Sequence, residues 1–77
     1  MENFGEYIEV NPAIMLGKPI IKGTRIAVES ILEELAAGYT MQQILQAHPR
    51  LRQEHIYAAL HYAVGIMKNE KVYPVTL

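Results

Sequence analysis

Cysteine, tryptophan and aspartate are absent from this chain, and serine occurs once. The lack of cysteine excludes disulfides, thiolate metal sites and thiol nucleophiles. The single serine, Ser30, falls on the polar side of a helical pattern. No histidine or lysine is placed by the sequence to activate it, and a nucleophile needs an adjacent base held by a third group. Glu29 and Glu33 lie four apart, as paired carboxylates do, but general acid catalysis needs a pocket that raises a pKa, and an exposed helix offers a solvated acidic face instead. His55 and His61 are six apart, on different sides of a helix, unlike the four-residue spacing of a helical zinc pair. Gly17-Lys18-Pro19 and Lys22-Gly23-Thr24 lack the spacing of a phosphate loop. No enzyme activity, metal or cofactor is therefore expected. No apolar run approaches the roughly 18–20 residues that span a membrane. Met1-Glu2-Asn3-Phe4 shows neither a basic region nor the start of an apolar stretch, so a cytoplasmic location is expected.

Seventy-seven residues, 51% hydrophobic and 19% charged, suit one folded domain rather than a disordered chain. A domain of this size buries only roughly 60% of its unfolded surface, so its core is small and a partner is expected to add stability. The expected organisation is a single domain, 1–77: a short β-hairpin region over 1–26, a helical core over 27–68 and an extended tail over 69–77.

Three helical patterns occupy the core. Val28, Ile31, Leu32, Leu35 and Ala36 share one face of the first, and Gly38 stands where a left-handed residue would close it. Thr40 opens the second with Gln43 three residues on, a capping box, and Tyr39 and Ile44 are placed as a hydrophobic staple. Met41, Ile44 and Leu45 form its apolar face, and Pro49 ends it. Ile56, Ala59, Leu60, Ala63, Val64 and Met67 define the third, with Ile56, Leu60 and Val64 expected in the core. If Arg52 is the cap, Leu51 and Ile56 make a second staple, although arginine is a poor N-cap. The opposite face of this helix would then carry Glu54, Tyr57, Ala58, His61, Tyr62 and Gly65. Two tyrosines among small residues suit a partner surface or a self-association seam.

Tyr7 to Val10 alternates in character and is bounded by the turn signal Asn11-Pro12. Ala13 to Leu16 and Pro19 to Ile21 are short apolar runs, Gly23 marks a turn, and Arg25-Ile26 adds an extended pair. One or two short hairpins result. Two-stranded elements are marginal alone, so Ile8, Val10, Ile14, Ile20, Ile21 and Ile26 should point into the helical core. Val72 to Leu77 is apolar and β-prone, and Pro74 confines it to an edge or an extended strand. Val72, Tyr73, Val75 and Leu77 make it a candidate docking strand.

The net charge of −1 hides a segregated pattern. Residues 1–17 carry Glu2, Glu6 and Glu9 and no basic residue. Residues 18–25 carry Lys18, Lys22 and Arg25 and no acid. The first helix carries Glu29, Glu33 and Glu34, and Arg50 and Arg52 bracket the start of the third. Basic residues concentrated in two connecting segments make a footprint for phosphate that coexists with a neutral total.

The run Asn11-Pro12, Gly17-Lys18-Pro19-Ile20-Ile21-Lys22-Gly23-Thr24-Arg25-Ile26-Ala27-Val28, with Ile31-Leu32, Leu35-Ala36-Ala37-Gly38, Ile44-Leu45, His48-Pro49, Ile56, Ala58-Ala59-Leu60 and Tyr62-Ala63, resembles the domain of unknown function 433 family. The resemblance covers roughly residues 7 to 65, and its Gly-Lys-Pro to Lys-Gly-Thr-Arg block is the most specific part. It implies a small bacterial or archaeal protein, mainly α, with a trihelical helix-turn-helix core of homeodomain-like or winged-helix-like form. It also implies a VapB-type antitoxin, the smaller partner of a PIN-like ribonuclease toxin. Two departures stand out: Arg52 replaces the Thr or Ser cap common in the family, and the tail after Met67 is shorter than that of most antitoxins.

The expected function is DNA binding at a promoter, as an antitoxin-like transcriptional autoregulator and a homodimer. In that reading the third helix is the recognition helix. Arg50 and Arg52 would contact phosphate, Gln53, Glu54 and Tyr57 would lie nearest base edges, and Lys18, Lys22 and Arg25 would form a basic hairpin on the flanking backbone. The alternative is a protein-interaction module that binds a PIN-like toxin or itself without DNA. Tyr57, His61, Tyr62, Val72, Tyr73, Val75 and Leu77 would then contact the partner.

Overall fold

Gly38 and Thr40 divide the middle of the chain into two helices. The structure, a computed structural model, describes residues 4–69. Helix α1 (Val28–Ala36) ends in a Schellman arrangement. Gly38 N–H donates to Leu35 O at 3.0 Å, Tyr39 N–H donates to Glu34 O at 3.0 Å, and Gly38 takes φ 97. A left-handed residue there costs glycine nothing. Thr40 then caps α2 (Met41–Ala47) with the full box: Gln43 N–H donates to Thr40 Oγ1, and Thr40 N–H donates to Gln43 Oε1. Helix α2 stops at Ala47, before His48 and Pro49, and α3 runs Gln53–Asn69.

Ahead of the helices, β1 (Ile8–Glu9) pairs antiparallel with β2 (Ile20–Ile21) in the register Ile8 to Ile21 and Glu9 to Ile20. A second, tighter hairpin follows, in which Ile20 bridges Ala27. Its turn is fixed by chemistry at two residues. Gly23 sits at φ 81 in the third position of the Ile21–Thr24 turn, where type II geometry needs glycine. Thr24 Oγ1 donates to Ile21 O at 2.7 Å and accepts from Ile26 N–H at 3.0 Å. Helix α1 has no side-chain cap; Val28 N–H instead donates to Pro19 O, which fastens the helix start to the hairpin.

The core forms where the hairpin and three helices meet: Ile21, Val28, Ile31, Ile44, Leu51, Ile56 and Ala59. Ile20 is also fully buried, and Ile8, Ile26, Leu32, Leu35, Met41, Leu45 and Tyr62 are partly so. Leu51 and Ile56 are both in this cluster, as the second staple requires.

Three expectations are corrected. Val10 is exposed rather than inward, because the β1 ladder stops at Glu9 and the alternation has no sheet to follow. Residues 15–17 are not extended. Met15–Gly17 is a left-handed turn with φ 53, 58 and 80. On α3 the core face is Ile56, Ala58 and Ala59 with half-buried Tyr62 and Ala63, whereas Leu60 and Val64 face outward. The helix is apolar on both sides, so its periodicity fits either face. The proposed docking strand, with Val72, Tyr73, Val75 and Leu77, lies outside the described residues.

The turn at Met15–Gly17 gives a test. Leu16 is 95% exposed and held at φ 58, a region that costs a non-glycine residue roughly 1 kcal/mol. Its side chain buries almost nothing in return. Leu16→Gly should therefore raise the urea midpoint, by up to about 1 kcal/mol in stability. A loss of stability would show that Leu16 packs against something in solution.

Candidate nucleic-acid interface

The start of α3 is capped by an unusual reversal. Arg52 has no side-chain oxygen for the helix N–H groups, but its own N–H donates to His55 Nδ1 at 2.9 Å. His55 occupies the third helical position, where glutamate or glutamine closes a capping box. This is half of that box with imidazole as the acceptor. The His55 ring in turn meets Tyr7 edge to face, with centroids 5.4 Å apart. Tyr7 O accepts from Lys22 N–H at 2.8 Å.

These three contacts join the Gly23 turn to the α2–α3 turn. Lys22 and Arg25 extend from the first and Arg50 and Arg52 from the second, all four exposed. The two basic segments, well separated in sequence, are therefore linked through Tyr7 and His55. Lys18 differs. Its ammonium lies 2.7 Å from Glu29 on α1, both side chains half-exposed. That hydrogen bond and charge hold the lysine above its usual pKa. Lys18 is thus a partner of α1 before it is a phosphate contact. Gln53 Nε2 donates to Tyr57 Oη at 3.0 Å, so the first exposed turn of α3 presents a linked amide and phenol. Glu54 is half-exposed beside them.

The remaining candidate residues lie further along α3. His61 is exposed on its outer side. Tyr62 lines an apolar groove of about 290 Å³ between α1 and the last turns of α3, with Val28, Leu32, Ala63, Ile66 and Met67. His48, at the end of α2, holds Glu34 of α1 through Nε2 at 2.9 and 3.2 Å, fastening the two helices. Among the described residues no group of histidines and carboxylates is placed to hold a metal, and no helix is long and apolar enough to cross a membrane. From sequence, Tyr7 reads only as the start of a strand and His55 only as a zinc ligand to be set aside. The available signal was the position of His55, three after the cap.

Burial, and then the charge of Arg52, hold the His55 imidazole below its ordinary pKa of 6.5, with Glu54 opposing weakly. An Nδ1 that accepts a hydrogen bond must be unprotonated. The folded chain binds this proton less readily than the unfolded chain. The stabilising contribution is complete above about pH 6.5 and is lost as pH falls through the folded value. His55→Gln, which can accept the same N–H without titrating, should flatten the stability profile between pH 7 and pH 5, by thermal melts at about those values. An unchanged profile would place the titration elsewhere.

The arrangement defines a mainly helical, three-helix protein with a two-stranded antiparallel hairpin ahead of its helices. Residues 8–63 match the family described as "Protein of unknown function (DUF433)", and the chain belongs to that family. It is similar to the uncharacterized protein y4eO of Sinorhizobium fredii (strain NBRC 101917 / NGR234), 36% identical over 58 residues, covering 75% of this chain and 26% of that protein. It is also similar to a crystal structure of a DUF433 member from Anabaena variabilis, with 28% identity and a TM-score of 0.72, covering 82% of this chain and 59% of that one. The chain thus spans about a quarter of the curated relative and less than two thirds of the solved structure.

Proposed function

We propose that this chain is a DNA-binding, non-enzymatic regulator of antitoxin type, which docks the start of α3 and the Gly23 turn on a promoter. The observation that carries the reading is the contact chain from Lys22 through Tyr7 and His55 to Arg52. It links the segment of Lys22 and Arg25 to that of Arg50 and Arg52, all exposed, at the start of the helix that would read the major groove. Lys22, Arg25, Arg50 and Arg52 would sit on phosphates, and Gln53 would approach base edges. As an antitoxin the chain would repress its own operon and hold a PIN-like toxin by a separate surface. The test is a mobility shift with DNA from upstream of its own coding region at two salt concentrations. Four phosphate contacts give a log–log salt slope of about −3 to −4. Absent or salt-insensitive binding would leave the second reading, a protein-interaction module that binds a toxin or itself without DNA. That reading is favoured by the uncharged outer side of α3.

A further inference from the structure

Helix α3 carries two apolar stripes, and the fold uses one of them. Ile56, Ala59 and Ala63 lie on the packed side of α3, whose neighbours are α1, α2, β1 and the short 3-10 helix Phe4–Tyr7. On the other side Tyr57, Leu60 and Val64 stand 40, 38 and 48% exposed, and Met67, 76% exposed at the edge of the α1–α3 groove, continues the stripe. Their spacing of three, four and three is the seam of a heptad repeat, in which a second helix packs knobs into holes. A helix apolar all round is normally a buried one. Between Glu54 and Lys68 the sequence has no acidic residue, lysine or arginine, so no side chain of fixed charge interrupts the stripe.

We infer that this stripe pairs with the same stripe of a second copy, the two α3 helices running antiparallel about a two-fold axis near residue 62. Heptad geometry then sets the neighbours. Tyr57 packs against Met67 of the second copy, an aromatic ring against a polarizable thioether, and Leu60 packs against Val64. The flanking positions place Glu54 of one copy opposite Lys68 of the other, twice. In a parallel pair these two positions lie on opposite sides of the seam, so neither charge would meet an opposite one. Charge complementarity therefore selects both the occupant and its direction. The antiparallel pair also aligns the helix dipoles favourably. This inference goes beyond the DNA-binding reading and needs no DNA for its test.

The experiment is light scattering on the full chain at micromolar concentration. The expected mass is twice 8.7 kDa. Leu60→Glu with Val64→Glu, which buries two carboxylates in the seam, should weaken the dimer by at least about a hundredfold and leave helical circular dichroism intact. Glu54→Lys alone and Lys68→Glu alone should each weaken it by about threefold, and the two together should restore it. The absence of native cysteine provides a check that survives a folding defect in the charged variants. His61→Cys, beside the axis, should form a disulfide-linked dimer under mild oxidation, whereas Tyr57→Cys should not unless joined by Met67→Cys. A monomeric wild-type chain would overturn the inference, as would a dimer indifferent to the seam carboxylates or efficient crosslinking of Tyr57→Cys to itself.

Discussion

Ile56→Ala is expected to unfold the domain. Ile56 is fully buried and sits in the cluster shared by the hairpin and all three helices. Losing the side chain of a buried isoleucine costs about 2–5 kcal/mol, the transfer term plus the cavity left behind. A domain of this size has roughly 3–5 kcal/mol to lose. Circular dichroism should show a melted chain at room temperature, or a midpoint lowered by tens of degrees. Ile56→Val should remain folded with a loss of about 1 kcal/mol. The outward positions provide the contrast: in dilute protein Leu60→Ala should cost under about 0.5 kcal/mol. A folded, heat-stable Ile56→Ala variant would show that the core is centred elsewhere.

The second large effect concerns the basic end. Arg50→Ala with Arg52→Ala should lower affinity for operator DNA at least about tenfold at ordinary salt and flatten the salt slope by about two. The loss should be similar for operator and unrelated DNA, because guanidinium–phosphate contacts carry no base information. Gln53→Ala should instead relax preference at one or two base positions. Lys18→Ala should fall well short of either arginine, since its ammonium is engaged by Glu29. If Lys18→Ala proves as damaging as Arg52→Ala, the DNA lies along the N-terminal side of α1 rather than across the start of α3. Measured at two salt concentrations, these variants together with Arg52→Ala alone would locate the interface without a structure of the complex.

What could be read from sequence was what is decided within four or five residues. The Thr40–Gln43 box and the Gly38 closure depend on local backbone geometry, and both stand as the residue types imply. The Gly23 turn was legible for the same reason. The face of α3 was not, because Ile56, Leu60 and Val64 make as good a helical stripe as Ile56, Ala59 and Ala63. The choice rests on small alanines that let α3 approach the body of the fold, and apolar periodicity does not weigh size. The left-handed Met15–Leu16 pair was invisible because neither residue favours that backbone region. Of the candidate site, the basic residues could be named but not assembled. The link between their two segments depends on Tyr7 reaching His55 across most of the chain, and on an imidazole taking the part usually given to a carboxylate or amide.

The length of α3 fixes a distance. From Arg52 to the seam centre near Tyr62 is ten residues, or about 15 Å of helix. Two copies paired antiparallel would hold their basic ends about 30 Å apart, close to the roughly 34 Å between successive major grooves on one side of a duplex. The helix would then act as a ruler as well as a reader. Its outer stripe would set the separation of the half-sites, while its first turn would supply what touches them. Operators of such a dimer would be inverted repeats centred about ten base pairs apart. Changing the number of residues between Arg52 and Tyr57 would alter the preferred spacing while leaving the preferred half-site sequence unchanged.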